Sequence, residues 1–276
     1  MDNLHSFHRP LGRTGLTVSP LGLGTVKIGR NQGVKYPSGF ELPDDHQVRE
    51  LLAQSRDLGI NLLDTAPAYG ISEQRLGPLL RGQRQEWVLC TKVGEEFENG
   101  ASHFDFSASH TRRSVECSLQ RLHTDYLDLV LVHSNGDDLT VLADEVYPTL
   151  QQLKQQGLIR AFGFSGKTVD GGLQALAEGD CAMVTWNLRE QTERPVLDYA
   201  LSQDKGILVK KALASGHICL QGEDPVRAGF ELVFSHPAVG SAIIGTINPV
   251  HLAQNVATVA TILQQAAPSG VSARPR

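Results

Sequence analysis

Several things are scarce in this 276-residue chain, and each scarcity closes off a class of protein. Cysteine is one: Cys90, Cys117, Cys181 and Cys219 stand far apart, with no CxxC pair and no zinc-type spacing. Buried, reduced thiols are therefore expected in place of disulfides or metal ligands. Excess positive charge is another. Lys and Arg total 25 against 30 Asp and Glu, a formal net charge of −5, which is not the footprint of a nucleic-acid binder or a polybasic membrane anchor. Long apolar runs are missing too: no stretch approaches the roughly 18 residues of a membrane span, and the first ten residues lack the apolar core of a signal peptide. The expectation is a cytoplasmic protein with neither nucleic acid nor membrane as partner. What is present, 41% hydrophobic and 20% charged residues, is enough for a full core.

Short apolar runs alternate with longer amphipathic ones. The strand candidates are Leu21–Gly24, Ile60–Asp64, Trp87–Lys92, Leu127–His133, Ile159–Ser165, Met183–Asn187, Ile207–Lys210 and Ser241–Gly245. Between them, Val48/Leu51/Leu52 closes at Gly59, Val115/Leu119/Leu122 follows a Ser107 or Ser109 cap, and Leu142/Val146/Leu150/Leu153 predicts one helix closing at Gly157. A last helix starts with Asn248 as cap and Pro249 at its first position. Continuous apolar strands alternating with helices imply a parallel sheet covered on both faces, and eight such units close a (β/α)₈ TIM barrel, an α/β fold. A doubly wound open sheet is the competing architecture. One domain is expected over residues 1–276, with its core from about 9 to 263 and a polar tail at 268–276.

The polar residues favour the barrel. Asp64, Lys92, His133, Ser165, Asn187, Lys210 and the Gly245-Thr246 turn all fall at C-terminal strand ends, the face where barrels keep their active sites. Arg13–Ser19 reads as a small hairpin plugging the opposite end. Gly29–Pro43 reads as an insertion over the active face, and Glu95–Phe106 as a long loop beside it.

Asp64, Tyr69, Lys92 and His133 bring a carboxylate, a phenol, an amine and an imidazole to three successive strand ends. A phenol is a poor acid near neutrality, but a neighbouring ammonium draws its pKa down, and Asp64 is suited to hold Lys92 in place. Singly, each has a bland structural reading; together they make a proton relay. Two motifs mislead. Gly166-Lys167-Thr168 ends like a P-loop, but Ala161 stands where that motif needs its first glycine, and Gly22-Leu-Gly24-Thr25 lacks the third glycine of a dinucleotide fingerprint. Ile243-Ile-Gly245-Thr246-Ile-Asn248-Pro249 is more promising: a strand runs through a glycine turn into a helix start, where free N–H groups suit a phosphate.

With those residues in view, the chain resembles the aldo-keto reductases, in their bacterial branch. The resemblance is carried by Arg13-Thr-Gly-Leu-Thr-Val-Ser-Pro-Leu-Gly-Leu-Gly24-Thr25, Asp64-Thr-Ala-Pro-Ala-Tyr69-Gly70 with Ser72-Glu73 and Leu76-Gly77, Thr91-Lys92, Val132-His133, Gly163-Phe-Ser165, and Gly245-Thr246 with Asn248-Pro249 and His251-Leu252. These run in order from about Arg9 to Ile262. The resemblance implies hydride transfer between a nicotinamide cofactor and a carbonyl, without metal. It makes Tyr69 the proton donor, Lys92 the group that lowers its pKa, Asp64 the partner of Lys92, and His133 the residue that orients the carbonyl.

It also implies a set of cofactor residues: Gly24, Thr25, Ser165, Gly166, Lys210, Lys211, Ala214, Ser215, Gly245, Thr246, Asn248, His251, Gln254 and Asn255. Departures from the family pattern fall here. Gly166 replaces an Asn and Met183 a Gln that commonly hold the carboxamide, an aromatic that stacks on the nicotinamide is replaced around Lys210-Lys211, and Gly245 and His251 stand where tight NADP binders carry Lys and Arg. NADPH is the expected cofactor, with NADH possible. Reduction of aldehydes or ketones is the leading activity. The alternatives are an NAD(P)-linked dehydrogenase of a sugar or other alcohol, and a non-enzymatic cofactor-binding module like the β subunits of voltage-gated potassium channels. Tyr36, Phe40, Phe97, Phe104, Phe106 and Trp186 are candidate pocket walls. The partner that the resemblance implies is a small-molecule carbonyl substrate.

Overall fold

A computed structural model describes residues 3–34, 36–220 and 224–266, with 218–220 described by their backbone alone. The polar tail and the Cys219 side chain lie outside the described residues. In chain order the elements are β1 (Arg9–Pro10), β2 (Thr17–Val18), β3 (Leu21–Gly24), α1 (Val26–Gly29), α2 (Asp45–Asp57), β4 (Leu62–Asp64), α3 (Ser72–Leu79), β5 (Val88–Val93), β6 (Glu95–Glu98), β7 (Ala101–Phe104) and α4 (Ala108–Arg121). There follow β8 (Leu127–His133), α5 (Asp138–Ala143), α6 (Val146–Gln155), β9 (Ile159–Ser165), α7 (Val169–Glu178), β10 (Cys181–Thr185), α8 (Arg194–Gln203), β11 (Gly206–Lys210), α9 (Pro225–Ser235), β12 (Val239–Ile244) and α10 (Pro249–Ala266). Strands β3, β4, β5, β8, β9, β10, β11 and β12 pair in parallel and close on themselves as an eight-stranded barrel. Among the described residues no helix is long and apolar enough to cross a membrane.

Alternation along each strand explains why the strands are apolar throughout. Leu62, Cys90, Leu129, Leu131, Ala161, Cys181, Met183 and Leu208 form one buried cluster, filling the inside of the barrel. Their neighbours Leu63, Leu89, Val130, Val132, Phe162, Ala182 and Val209 belong to a second cluster, packed under the helices. The inner cluster is completed from below by Leu11, Leu16 and Val18, delivered by the antiparallel pair β1–β2. The expected plug is there, although its first strand begins at Arg9, four residues earlier than anticipated. Cys90, Cys117 and Cys181 are free thiols, the first and last fully buried.

Three expectations are corrected. The sixth barrel strand is Cys181–Thr185 in place of Met183–Asn187, because Cys181 and Ala182 already pair with Gly163 and Phe164, while Asn187 turns the chain through a bridge to Glu190. That pairing needs Gly163: a Cβ there would stand 2.1 Å from the Cys181 carbonyl. The stripe Leu142/Val146/Leu150/Leu153 is buried as predicted but divides between α5 and α6. Asp144 breaks the helix in extended conformation (ψ −179°), its carboxylate accepting the Glu145 N–H at 2.7 Å. Finally, Glu95–Phe106 is largely a hairpin, β6–β7. Asn99 and Gly100 form its two-residue turn with φ of 52° and 82°, the left-handed pair that a type I′ turn requires.

Candidate active site

The barrel strands deliver the reactive groups at their C-terminal ends. Asp64 ends β4, Lys92 is next to last in β5, His133 ends β8, and Tyr69 closes the single turn Pro67–Tyr69 just beyond β4. Lys92 Nζ lies 2.5 Å from Asp64 Oδ1 and donates to the Thr65 carbonyl at 2.9 Å. Both charged side chains are nearly sealed, at 2% and 4% exposure. The Tyr69 hydroxyl donates a long 3.4 Å bond to Asp64 Oδ2, and the Lys92 ammonium sits 4.6 Å from the centre of its ring. His133 meets that ring edge-on at 6.4 Å.

The electrostatics modify one expectation. Tyr69 stands above the usual phenol range, because burial and then the Asp64 carboxylate outweigh the opposing pull of Lys92. Lys92 is raised as well: burial works against its charge, but Asp64 more than compensates. The ammonium is thus committed to Asp64, and the phenol keeps its proton. His133 is lowered by burial, with Glu95 opposing and Lys92 and Lys210 reinforcing. Glu95, which the sequence places only in a long loop, is the residue at this site that the motifs do not reveal. Its Oε2 lies 2.7 Å from His133 Nδ1, and although burial opposes it, contact with His133 brings the carboxyl down to about 2. The Asn99-Gly100 dipeptide was the signal for the hairpin that carries it.

All four groups open into one cavity of about 1460 Å³. Of the anticipated cofactor residues, Gly24, Ser165, Lys210, Lys211, Ala214 and Ser215 line it, as do Gly245, Thr246, His251, Gln254 and Asn255. Thr25, Gly166 and Asn248 stand off its wall. Thr25 braces the Asp64 backbone from behind, its Oγ1 donating to the Asp64 carbonyl at 2.9 Å while Ser72 holds Thr25 at 2.8 Å. Gly166 offers its carbonyl to Lys210. Asn248 is spent as a cap, its Oδ1 accepting the N–H groups of Val250 and His251. The helix start therefore offers fewer free N–H groups than its sequence suggests, and recognition there falls to side chains. The P-loop-like turn is likewise filled from within: Asp138 Oδ2 accepts from Lys167 N, Thr168 N and Thr168 Oγ1 at 2.7–2.8 Å, a carboxylate where a phosphate would sit.

Lys210 points inward and Lys211 outward. Lys210 Nζ donates to Ser165 Oγ at 3.1 Å, and burial brings its ammonium down to about 8 against the pull of Glu193. Past it the backbone is left-handed at Lys211, Ala214 and Ser215, with φ between 47° and 56°. Such conformations cost of order 1–3 kcal/mol each and cluster at ligand clamps. A bare Gly245 Cα floors the far end; a Cβ there would meet the Tyr36 hydroxyl at 3.1 Å. The cavity exceeds the roughly 300–1,000 Å³ of an ordinary small-ligand pocket, so a dinucleotide and a small substrate fit together. Of the aromatic candidates only Tyr36 lines it, with its phenol raised to about 12 by burial and Asp64. Phe40 packs on Tyr36, Phe97 carries the Arg30 guanidinium at 3.3 Å, Phe104 stacks on Phe106, and the Trp186 indole donates to the Leu232 carbonyl.

The model of the aldo/keto reductase family matches residues 20–231. A solved structure from Pseudomonas aeruginosa, assigned to the aldo-keto reductases, is 65% identical, superposes with a TM-score of 0.88, and is matched over 95% of this chain and 98% of its own. L-Galactose dehydrogenase of Arabidopsis thaliana is 33% identical over 78% of this chain and 67% of its own length. The NADH-specific methylglyoxal reductase of Escherichia coli is 32% identical over 73% of this chain and 65% of its own. Among the first curated relatives the matched share of their length runs from 48% to 67%. A family match of this extent, on a barrel of this topology, settles what kind of protein this is: the chain belongs to the aldo/keto reductase family, oxidoreductases that use nicotinamide cofactors.

Proposed function

We propose that the protein reduces aldehydes or ketones to alcohols, with Tyr69 as proton donor, and that it works in the cytoplasm. The observation that carries this reading is the gathering of Asp64, Tyr69, Lys92 and His133 at one cavity large enough for cofactor and substrate together. The cofactor, when bound, supplies the hydride. As charge builds on the carbonyl oxygen, Tyr69 passes its proton to that oxygen while His133 holds it by a hydrogen bond. A phenol held above its ordinary range keeps its proton until a stronger base forms, and an alkoxide is one. Lys92, fixed by Asp64, then stabilises the phenolate left behind.

Ser165 and Lys210 would support the nicotinamide end of the cofactor, Lys211, Ala214 and Ser215 the pyrophosphate, and Gly245, Thr246, His251, Gln254 and Asn255 the adenosine end, with Gly24 on the floor between. With no fixed cation at Gly245 or His251, NADPH is preferred over NADH only by about 10–100-fold, or about 1.4–2.8 kcal/mol. The Escherichia coli relative, NADH-specific by name, lies outside that range. A second reading, oxidation of a sugar or related alcohol, is favoured by the Arabidopsis relative's name; comparing forward and reverse rates separates the two. Tyr69→Phe tests the common chemistry. It should bind NADPH normally and lose about 10²–10⁴-fold in turnover of 4-nitrobenzaldehyde, whereas near-normal reduction would remove Tyr69 from the mechanism.

A further inference from the structure

The proposed reaction uses His133 and leaves its neighbour Glu95 without a role. Glu95 begins β6, immediately after the glycine that ends the turn out of β5. Its Oε1 accepts a 2.6 Å bond from Ser102 Oγ across the hairpin, which fixes the carboxylate. Its Oε2 lies 2.7 Å from His133 Nδ1, although the approach is off the line of a ring N–H bond. At this distance a bare Nδ1 lone pair would face a carboxylate lone pair, so Nδ1 must carry a proton. A neutral imidazole has only one. Nε2 has no hydrogen-bond partner among the described residues, and His133 lines the cavity.

We infer that Glu95 is a positioning residue that locks His133 as its Nδ1–H tautomer, so that Nε2 faces the reacting oxygen as an acceptor when the ring is neutral and as a donor only when the ring is doubly protonated. A neutral ring then suits the O–H of an alcohol, and an imidazolium suits a carbonyl oxygen. Acid favours reduction, base favours oxidation. The charged and titratable groups around the ring are Glu95, Lys92, Lys210 and Tyr69; burial and the two lysines hold the ring below its ordinary range, and Glu95 alone opposes them. Burial opposes the Glu95 charge, but contact with His133, the Ser102 bond and, last, Arg30, stacked on Phe97 of the same hairpin, favour it.

The kinetic consequence rests on the proposed oxidoreduction, but the tautomer does not, and the test separates them. In protein labelled with ¹⁵N at its histidine rings, the His133 signals, identified by their loss in His133→Gln, should at pH 8 show a protonated Nδ1 and a bare Nε2. In Glu95→Ala the proton should move wholly or partly to Nε2. With 4-nitrobenzaldehyde and NADPH, wild-type kcat should fall about tenfold per pH unit above the ring's titration, and Glu95→Ala should follow less than half that slope. A wild-type His133 protonated on Nε2 would overturn the inference whether or not the protein reduces aldehydes. So would a reduction profile with the same slope in Glu95→Ala.

Discussion

Strand β8 carries a functional group at each end of the barrel, and the two surroundings differ in how completely they are satisfied. Near its start Asp128, 2% exposed, accepts from Leu89 N at 2.9 Å and from Arg84 and Arg160 at 2.8 Å each. Arg84 places its remaining donors on the Trp87 and Tyr126 carbonyls and on Thr124. At the other end, His133 Nε2 has no partner among the described residues, and the Tyr69 hydroxyl hangs on Asp64 by 3.4 Å. Both ends bury carboxylate–cation pairs. At the bottom both Asp128 oxygens and four of the five Arg84 N–H donors are engaged within the protein, which fixes the fold, whereas at the top some capacity is left over. Unspent capacity beside a cavity is what a substrate can use.

The sharpest way to break this comparison is to remove one partner at each end. Lys92→Met should lower turnover by about 10²–10⁴-fold and shift the basic limb of the pH–rate profile upward, because the charge favouring the phenolate is gone. A stable variant with an unchanged profile would make Lys92 structural, like Arg84. Adding Asp64→Asn to Lys92→Met should restore stability, since no lone buried charge remains, without restoring activity. Asp128→Ala should do the reverse of Lys92→Met. Stranding Arg84 and the Leu89 N–H should cost about 3–5 kcal/mol in denaturant unfolding, with kcat of the folded protein unchanged; a fall in kcat without loss of stability would erase the distinction.

Lys210 sits between these extremes, partnered by Ser165 and Gly166 yet lining the cavity. A donor lost to a charged or polar ligand group is worth about 1.5–3 kcal/mol. Lys210→Met should therefore weaken cofactor binding at pH 7 by at least about tenfold. Its ammonium is held near 8, so it is charged below that value and neutral above it. Wild-type affinity should decline as pH rises through 8, and the gap to Lys210→Met should close by pH 9.5. Titrating cofactor fluorescence across that range checks both; parallel curves would place Lys210 outside the binding site.

The sequence made the top and the bottom of the barrel unequally legible. The strands were visible because burial on both faces makes them apolar throughout, and Leu21–Gly24, Leu127–His133 and Ile159–Ser165 match residue for residue. The strand ends then gathered Asp64, Lys92 and His133 without any alignment. What stayed hidden was cross-chain bonding. Nothing local shows that Thr25 turns to the Asp64 backbone, that Asn248 spends its amide capping α10, or that Asp138 fills the turn after β9. Glu95 was accessible in principle: Asn99-Gly100 is a strong hairpin signal, and pairing outward from it puts Glu95 opposite Phe104, at the hairpin's root beside β5. The direction of the Tyr69 shift was not, because it depends on how far burial and Asp64 outweigh Lys92.

The smallest expected effect concerns the far end of the cavity, where the self-capped start of α10 leaves recognition to side chains. Thr246 Oγ1 is engaged with Asn248 N at 3.1 Å, and His251 is exposed on the first turn, flanked by Gln254 and Asn255 along the cavity wall. A 2′-phosphate there meets hydrogen-bond donors and one imidazole in place of two permanent cations. His251→Ala should therefore lower the preference for NADPH over NADH by about tenfold at most, or 1.4 kcal/mol. NADH affinity should be unchanged in that variant, since NADH carries no phosphate at this position. Dissociation constants for both cofactors in the wild type and the variant decide the matter. A large NADPH preference that survives His251→Ala would mean that a lysine reads the phosphate, with outward-facing Lys211 the first suspect and Lys210 the second, and the far end of the cavity would then depend on the same loop as the near end.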